Sequence, residues 1–170
     1  KNIILNDEKE LSEHVTIVDL VRNDLSMVAS NIRVNRFRYL DLVSTNGKDL
    51  LQVSSEITGK LPSDFRNNLY DIIMKLLPAS STCGAPKTET MRSIKENEIY
   101  DRGYYTGISG YFDGKNLDSF VMIRFIEKLN NKIYYKSGGG ITYYSDPVKE
   151  YKEMEDKIYV PIYRNNKNSK

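Results

Sequence analysis

From Gly103 onward the chain reads as short strands joined by turns that leave no room for a crossover. Tyr104 to Phe112, Ser119 to Leu129 and Lys132 to Lys136 are rich in aromatic and branched residues. Between them stand Asp113-Gly114-Lys115 and Asn130-Asn131, both hairpin-turn signals. Connections that short join only antiparallel neighbours, because a parallel pair needs roughly a dozen residues or more to cross over. The pattern predicts an antiparallel meander, interrupted by Ser137-Gly138-Gly139-Gly140 before a further strand at Ile141 to Tyr144.

Helical patterning surrounds this meander. Residues from Asp7 to Leu25 predict a first helix with an apolar stripe of Leu11, Val15, Val18, Val21 and Leu25, and Asn6 or Asp7 as cap. Strands follow at Asn31 to Leu42 and Leu50 to Ile57, with Asn46-Gly47 as their turn. A second helix is predicted from Ser63 or Asp64 to Leu76, closed by Pro78, and a third from Pro86 through Met91 and Ile94. Asp146-Pro147 opens the last helix, with aspartate as cap and proline in the first turn. Helices mixed with antiparallel strands make the fold class α+β. The predicted organisation is one domain portion over residues 1–162 and a frayed polar tail over 163–170.

Composition excludes several function classes. The 25 basic and 23 acidic residues nearly balance, which argues against a nucleic-acid groove or a polybasic membrane patch. The single cysteine, Cys83, rules out an internal disulfide and a multi-cysteine zinc site, and it suits a reducing cytoplasm. No apolar run reaches membrane-spanning length, and no secretory signal is present. The chain opens on Lys1 almost directly into a helix, which reads as the start of an excised piece.

Four segments carry candidate chemistry. Glu10 with Glu13, and Glu150 with Glu153, are spaced i,i+3, so each pair shares a helical face. If the two helices meet, four carboxylates converge, and like charges that close demand a partner. Hard oxygen donors suit Mg²⁺. The competing reading is ordinary surface glutamates, with Glu10 completing a capping box with Asp7. The small-residue loop Pro78 to Lys87 either lets a ligand approach a helix N-terminus or packs as a tight loop. The three glycines either expose amides on a pocket wall or mark a strand bulge. Arg124, placed by alternation on one face with Met122 and Ile126, is either edge-exposed or a bidentate carboxylate binder. Tyr105, on the neighbouring predicted strand, could reach the same anion. His14 reads as a packed residue rather than a ligand, and Cys83 lacks a base that would make it a nucleophile.

Taken in order, these segments resemble the chorismate-utilising enzymes. The resemblance is carried by Glu10-Leu11-Ser12-Glu13-His14 with Val18-Asp19-Leu20-Val21-Arg22-Asn23-Asp24-Leu25, then Gly84-Ala85-Pro86-Lys87. It continues through Arg102-Gly103-Tyr104-Tyr105-Thr106-Gly107, Ile123-Arg124, Gly138-Gly139-Gly140-Ile141, and Glu150-Tyr151-Lys152-Glu153 with Lys157. It runs from about Asp7 to Pro161. The triple glycine, where anthranilate synthases usually carry a central alanine, and Gln52, where many members have histidine, are most similar to the para-aminobenzoate branch.

The resemblance implies a chorismate-binding fold of antiparallel sheets flanked by helices, with N-terminal strands missing from this sequence. It implies Mg²⁺-dependent replacement of the 4-hydroxyl of chorismate by ammonia, giving 4-amino-4-deoxychorismate for folate synthesis, with ammonia from a glutamine amidotransferase subunit. Anthranilate or isochorismate formation, and a truncated domain that only binds chorismate, are the alternatives. By position, Glu13 and Glu153 would hold Mg²⁺ directly, with Glu10 and Glu150 beside them. Lys157 would stand near the ring carboxylate. Arg124, Tyr105 and the amides of Gly138, Gly139 and Gly140 would hold the enolpyruvyl carboxylate, and Ser81 would line the pocket. Gln52 would face the departing group, although an amide cannot act as a general acid at neutral pH. Arg22, Asn23 and Asp24 would form a structural network, and Lys87 would support the pocket. The branch also carries a Pro-Ile-Lys-Gly-Thr motif before the first helix. This sequence starts after it, so the polypeptide alone is expected to be weakly active or inactive.

Overall fold

Residues 5–6, 8–43, 50–143 and 145–158 are described by the computed structural model. Helix α1 spans Glu8–Ser26. Its inward stripe is rotated from the predicted one. Val18 and Asp24 are buried and His14, Ile17, Val21 and Leu25 half-buried, while Leu11 and Val15 face outward. The cause is polar: Asp24 and His14 both have partners on other elements, and satisfying them sets the helix rotation. The helix ends where Ala29 N–H bonds to the Leu25 carbonyl.

Strands β1 (Ser30–Val43) and β2 (Leu50–Lys60) form an antiparallel ribbon from Ser30↔Lys60 to Val43↔Leu50, as the alternation predicts. Register shifts occur where Asn31 and Arg38 take positive φ, and the second turns the Arg38 amide onto Ser55 Oγ at 3.0 Å. The Asn46-Gly47 turn, the Asp7 cap, Pro161 and the 163–170 tail lie outside the described residues.

Helix α2 covers only Leu69–Leu76 and buries Ile72. Its predicted start at Ser63 or Asp64 is instead a run of turns, with Phe65, Asn67 and Asn68 N–H groups bonded three residues back. A 3-10 turn, Ser80–Thr82, leads to α3 at Lys87–Asn97. Two hairpins follow: β3 (Ile108–Phe112) with β4 (Leu117–Val121), and β5 (Phe125–Leu129) with β6 (Lys132–Lys136). Both predicted turns form: Asp113 Oδ1 accepts from the Lys115 and Asn116 amides, and Asn130 and Asn131 both take positive φ. Helix α4, Pro147–Asp156, is capped by Asp146, whose side chain accepts from Val148 and Lys149 N–H.

Three expectations of the meander fail. The predicted Ser119–Leu129 strand is broken at Met122–Arg124, because Met122 exchanges backbone bonds with Thr106 and Gly107 while Ile123 N–H turns back to Val121. Arg124 therefore sits in a bend, exposed, rather than on a strand face with Met122 and Ile126. Tyr104 to Thr106 form a turn because Gly103 and Thr106 take positive φ, so Tyr105 precedes β3. Ile141 to Tyr143 form a turn closed by Ser145 N–H on the Thr142 carbonyl. Among the described residues the strands make three two-stranded antiparallel sheets, not one continuous sheet. The class is α+β, as expected.

Candidate functional site

Helix α1 is joined to the loop before α3 by a buried polar network. Asp24 Oδ2 accepts from Ser80 Oγ at 2.5 Å, and Asp24 Oδ1 from Lys87 Nζ at 2.9 Å. A carboxylate this deep must be paired to be tolerated. Lys87 and Ser80 do that from either end of the small-residue loop, which pins the 3-10 turn and the start of α3 against α1. Lys87 is thereby a structural cation, and Ser80 is the buried serine of the loop. Ser81, the predicted pocket residue, is exposed.

His14 makes the second tie. Its Nε2 lies 2.6 Å from Ser55 Oγ, and its ring meets Phe37 edge-on. Burial, with Arg38 adding repulsion, lowers its pKa and keeps it neutral. Gln52, further along β2, is exposed and lies 3.5 Å from both Asp41 Oδ2 and Ser54 Oγ.

The predicted carboxylate pairs stand on α1 and α4. Glu150 is buried and accepts from Ser145 Oγ at 2.7 Å, while exposed Glu153 pairs with Lys157 one turn on. Glu13 is half-buried and Glu10 exposed. The oxygen-only chemistry suits a hard cation. The arrangement does not gather them: among the described residues no group of three or more His, Cys, Asp or Glu could hold a metal ion. Ser145 and Lys157 engage α4's pair locally. Lys157, expected near a substrate carboxylate, is committed to Glu153.

The structure does bring Tyr105 and Gly138 together, and the charge of Arg124 acts on Tyr105. Tyr105 is half-buried on the turn before β3, and its hydroxyl lies against the Gly138 backbone. A Cβ at residue 138 would come within 2.0 Å of that oxygen, so only glycine fits without displacing the tyrosine. Gly139 and Gly140 are different: a Cβ at either would meet nothing within 4 Å. Burial raises the Tyr105 pKa, helped by Tyr100 and opposed by the charges of Arg102 and Arg124. At neutral pH the phenol is protonated, a hydrogen-bond donor on which two cations act. Next to Gly138, the buried Ser137 Oγ has no hydrogen-bond partner among the described residues, the kind of orphaned group a ligand or water satisfies.

Sequence reading missed Arg102 as a functional residue. Its guanidinium forks onto Glu98, Nε to Oε2 at 2.7 Å and Nη2 to Oε1 at 2.5 Å, and its Nη1 donates to Thr106 Oγ1 at 3.2 Å. Those bonds hold the Glu98 carboxyl below its usual pKa despite partial burial. The i,i+4 spacing of Glu98 and Arg102 was the available signal.

A protonated phenol set against a glycine backbone, with two arginine charges acting on it, is an arrangement suited to a small anion. Comparison with known proteins narrows that reading. Residues 1–163 match the family described as chorismate binding enzyme. The chain is 53% identical over 162 residues to an uncharacterized PabA-like protein of Haemophilus influenzae, covering 95% of this chain and 49% of that protein. It is 37% identical over 158 residues to anthranilate synthase component 1 of Acetivibrio thermocellus, covering 91% of this chain and 31% of that protein. It is 35% identical over 161 residues to aminodeoxychorismate synthase component 1 of Bacillus subtilis, covering 93% of this chain and 33% of that protein. A crystal structure from Bacillus anthracis, described as a 2,3-dihydroxybenzoate-specific isochorismate synthase, shares the fold. Its TM-score is 0.74 at 24% identity, over 91% of this chain and 40% of that one. The chain belongs to the chorismate-binding enzyme family. It spans about half the length, or less, of these curated relatives. Among the described residues no helix is long and apolar enough to cross a membrane.

Proposed function

We propose that this chain is the C-terminal part of an aminodeoxychorismate synthase component 1, which replaces the 4-hydroxyl of chorismate with an amino group. The observation that carries the reading is the Tyr105 hydroxyl lodged against Gly138 with Arg124 nearby. Arg124 has no hydrogen bond or ion pair among the described residues, so its guanidinium is available to an anion. A chorismate carboxylate would take the tyrosine proton donor and the arginine charge together, with Ser137 and the glycine amides beside it. In the reaction ammonia forms the C4–N bond, the C4–O bond breaks, and water leaves. Tyr105 and Arg124 hold the substrate through this exchange without donating a proton to the leaving oxygen.

Among the described residues no packing requires glycine at 139, which leaves that position free to serve ligand choice. The proposal includes ammonia from a glutamine amidotransferase subunit, and location in the cytoplasm. It also includes Mg²⁺, the hard cation that the carboxylates of Glu10, Glu13, Glu150 and Glu153 would suit.

The test is product analysis with chorismate, ammonium and Mg²⁺, by chromatography with mass detection, on the protein that contains this chain. Aminodeoxychorismate is the expected product. Anthranilate with pyruvate, or isochorismate, would overturn the branch, and chorismate binding without turnover would favour a binding domain.

A further inference from the structure

We propose that Arg102 is a positioning residue: clamped between Glu98 and Thr106, its guanidinium fixes the turn that presents the Tyr105 hydroxyl at Gly138. The inference rests on the reading above for the carboxylate that Tyr105 would receive. Its geometry stands on its own.

Three of the five guanidinium donors are spent inside the chain, two on Glu98 at the end of α3 and one on Thr106. The side chains of Arg102 and Glu98 are only 23% and 27% exposed, so the fork is partly shielded from water and rigid. Tyr105 lies between the two anchored points, Arg102 and Thr106. Its amide bonds to the Arg102 carbonyl at 2.9 Å, and its ring centroid lies 5.7 Å from the Arg102 guanidinium carbon. Thr106 is a β-branched residue at φ +67, a conformation that surrounding contacts must hold in place. Its hydroxyl takes the Arg102 bond, and its amide bonds to the Met122 carbonyl at 2.9 Å. The two arginines beside Tyr105 therefore divide their tasks. Arg102 is consumed in holding the turn, and Arg124 is the cation left to meet an anion.

A double-mutant cycle tests this. Arg102→Gln, Tyr105→Phe and the double variant are compared for chorismate dissociation constant, with circular dichroism confirming that each folds. Nitration of Tyr105 by tetranitromethane is mapped by mass spectrometry in the same proteins. If Arg102 acts through Tyr105, each single change weakens binding by about tenfold, the scale of one charge-assisted hydrogen bond. The double variant then binds no worse than Tyr105→Phe alone. Tyr105 nitration rises severalfold in Arg102→Gln. Additive losses, or unchanged nitration, overturn the proposal. If the unaltered protein binds no chorismate, the functional reading fails while nitration still decides the positioning claim. Should Arg102→Gln not fold, Arg102→Lys and Glu98→Gln, which keep the stem or the fork partner, report the same nitration change.

Discussion

Up to Asn97 the elements are tied by polar bonds between residues far apart in sequence; after Gly103 the elements close mostly on themselves. His14 to Ser55, Ser80 to Asp24 and Lys87 to Asp24 link residues 41, 56 and 63 positions apart. Beyond Gly103, among the described residues, the side-chain hydrogen bonds join residues two to five positions apart, as in the Asp113 turn and the Ser145–Glu150 pair, and the Lys136–Glu127 ion pair stays within one hairpin. Longer reaches are the backbone bonds of Met122 with Thr106 and Gly107 and the approach of Tyr105 to Gly138, and the latter coincides with the candidate site. The buried apolar side chains among the described residues, Val18 and Ile72, both lie in the first region, while Tyr111 and Ile133 on the hairpins are exposed, as Tyr70 is on α2. One region gains order from cross-links within the chain. The other leaves its hairpin faces open, and its recognition surface depends on one close contact.

The comparison breaks most sharply at Asp24. Asp24→Ala strands Lys87 and Ser80 without their partner, and a broken buried pair costs about 3 kcal/mol. Urea unfolding followed by far-ultraviolet circular dichroism should show a clearly lower midpoint. Asp24→Asn keeps an acceptor for Ser80 and should lose less. An unchanged midpoint for Asp24→Ala would mean that the first region does not depend on its cross-link.

Next in size is Gly138→Ala. The new methyl would stand 2.0 Å from the Tyr105 hydroxyl, so the ring must swing out of place. Chorismate affinity should fall about tenfold or more, which isothermal titration can read, because a donor to a charged carboxylate is lost. Unfolding should change little, since the second region owes its stability to its hairpin ladders. A large loss of stability with affinity preserved would reverse the assignment of that contact.

What was legible in the sequence follows the same split between local and distant causes. The Asp146-Pro147 start of α4 and the Asn130-Asn131 turn were readable because a few adjacent residues determine them. The kink at Met122 was not, because bonds to Thr106 and Gly107 impose it across the sheet. Alternation across 119–129 therefore placed Arg124 on a strand it does not occupy. Likewise i,i+3 spacing put each glutamate pair on one face, but whether α1 and α4 meet depends on packing that spacing cannot express. The Tyr105–Gly138 juxtaposition was reached through family resemblance, not through residue pattern.

A smaller effect concerns acid. Hydrogen bonds from Arg102 lower the Glu98 pKa in the folded chain, so the unfolded state binds the proton more readily. The contribution to stability is full above the ordinary carboxylate pKa and is lost as pH falls through the lowered folded value. Unfolding midpoints of the wild type and Glu98→Gln should differ at pH 7 and converge toward pH 3. Parallel curves at every pH would show that this ion pair adds nothing to the second region.

The smallest predicted effect is at Gly139, and it sharpens the contrast within the glycine run. No atom lies within 4 Å of a Cβ built there, and its φ is not in the left-handed region, so alanine meets neither crowding nor strain. Gly139→Ala should therefore leave the unfolding midpoint within about 0.5 kcal/mol of the wild type, as for an unremarkable surface change. Tyr105 should stay seated against Gly138, and nitration of that tyrosine should be unchanged. A shift in product with chorismate and ammonium, without a change in stability, would assign the middle glycine to ligand choice. A stability loss comparable to that of Asp24→Ala would instead mean that the glycine run is a packed corner rather than an open wall.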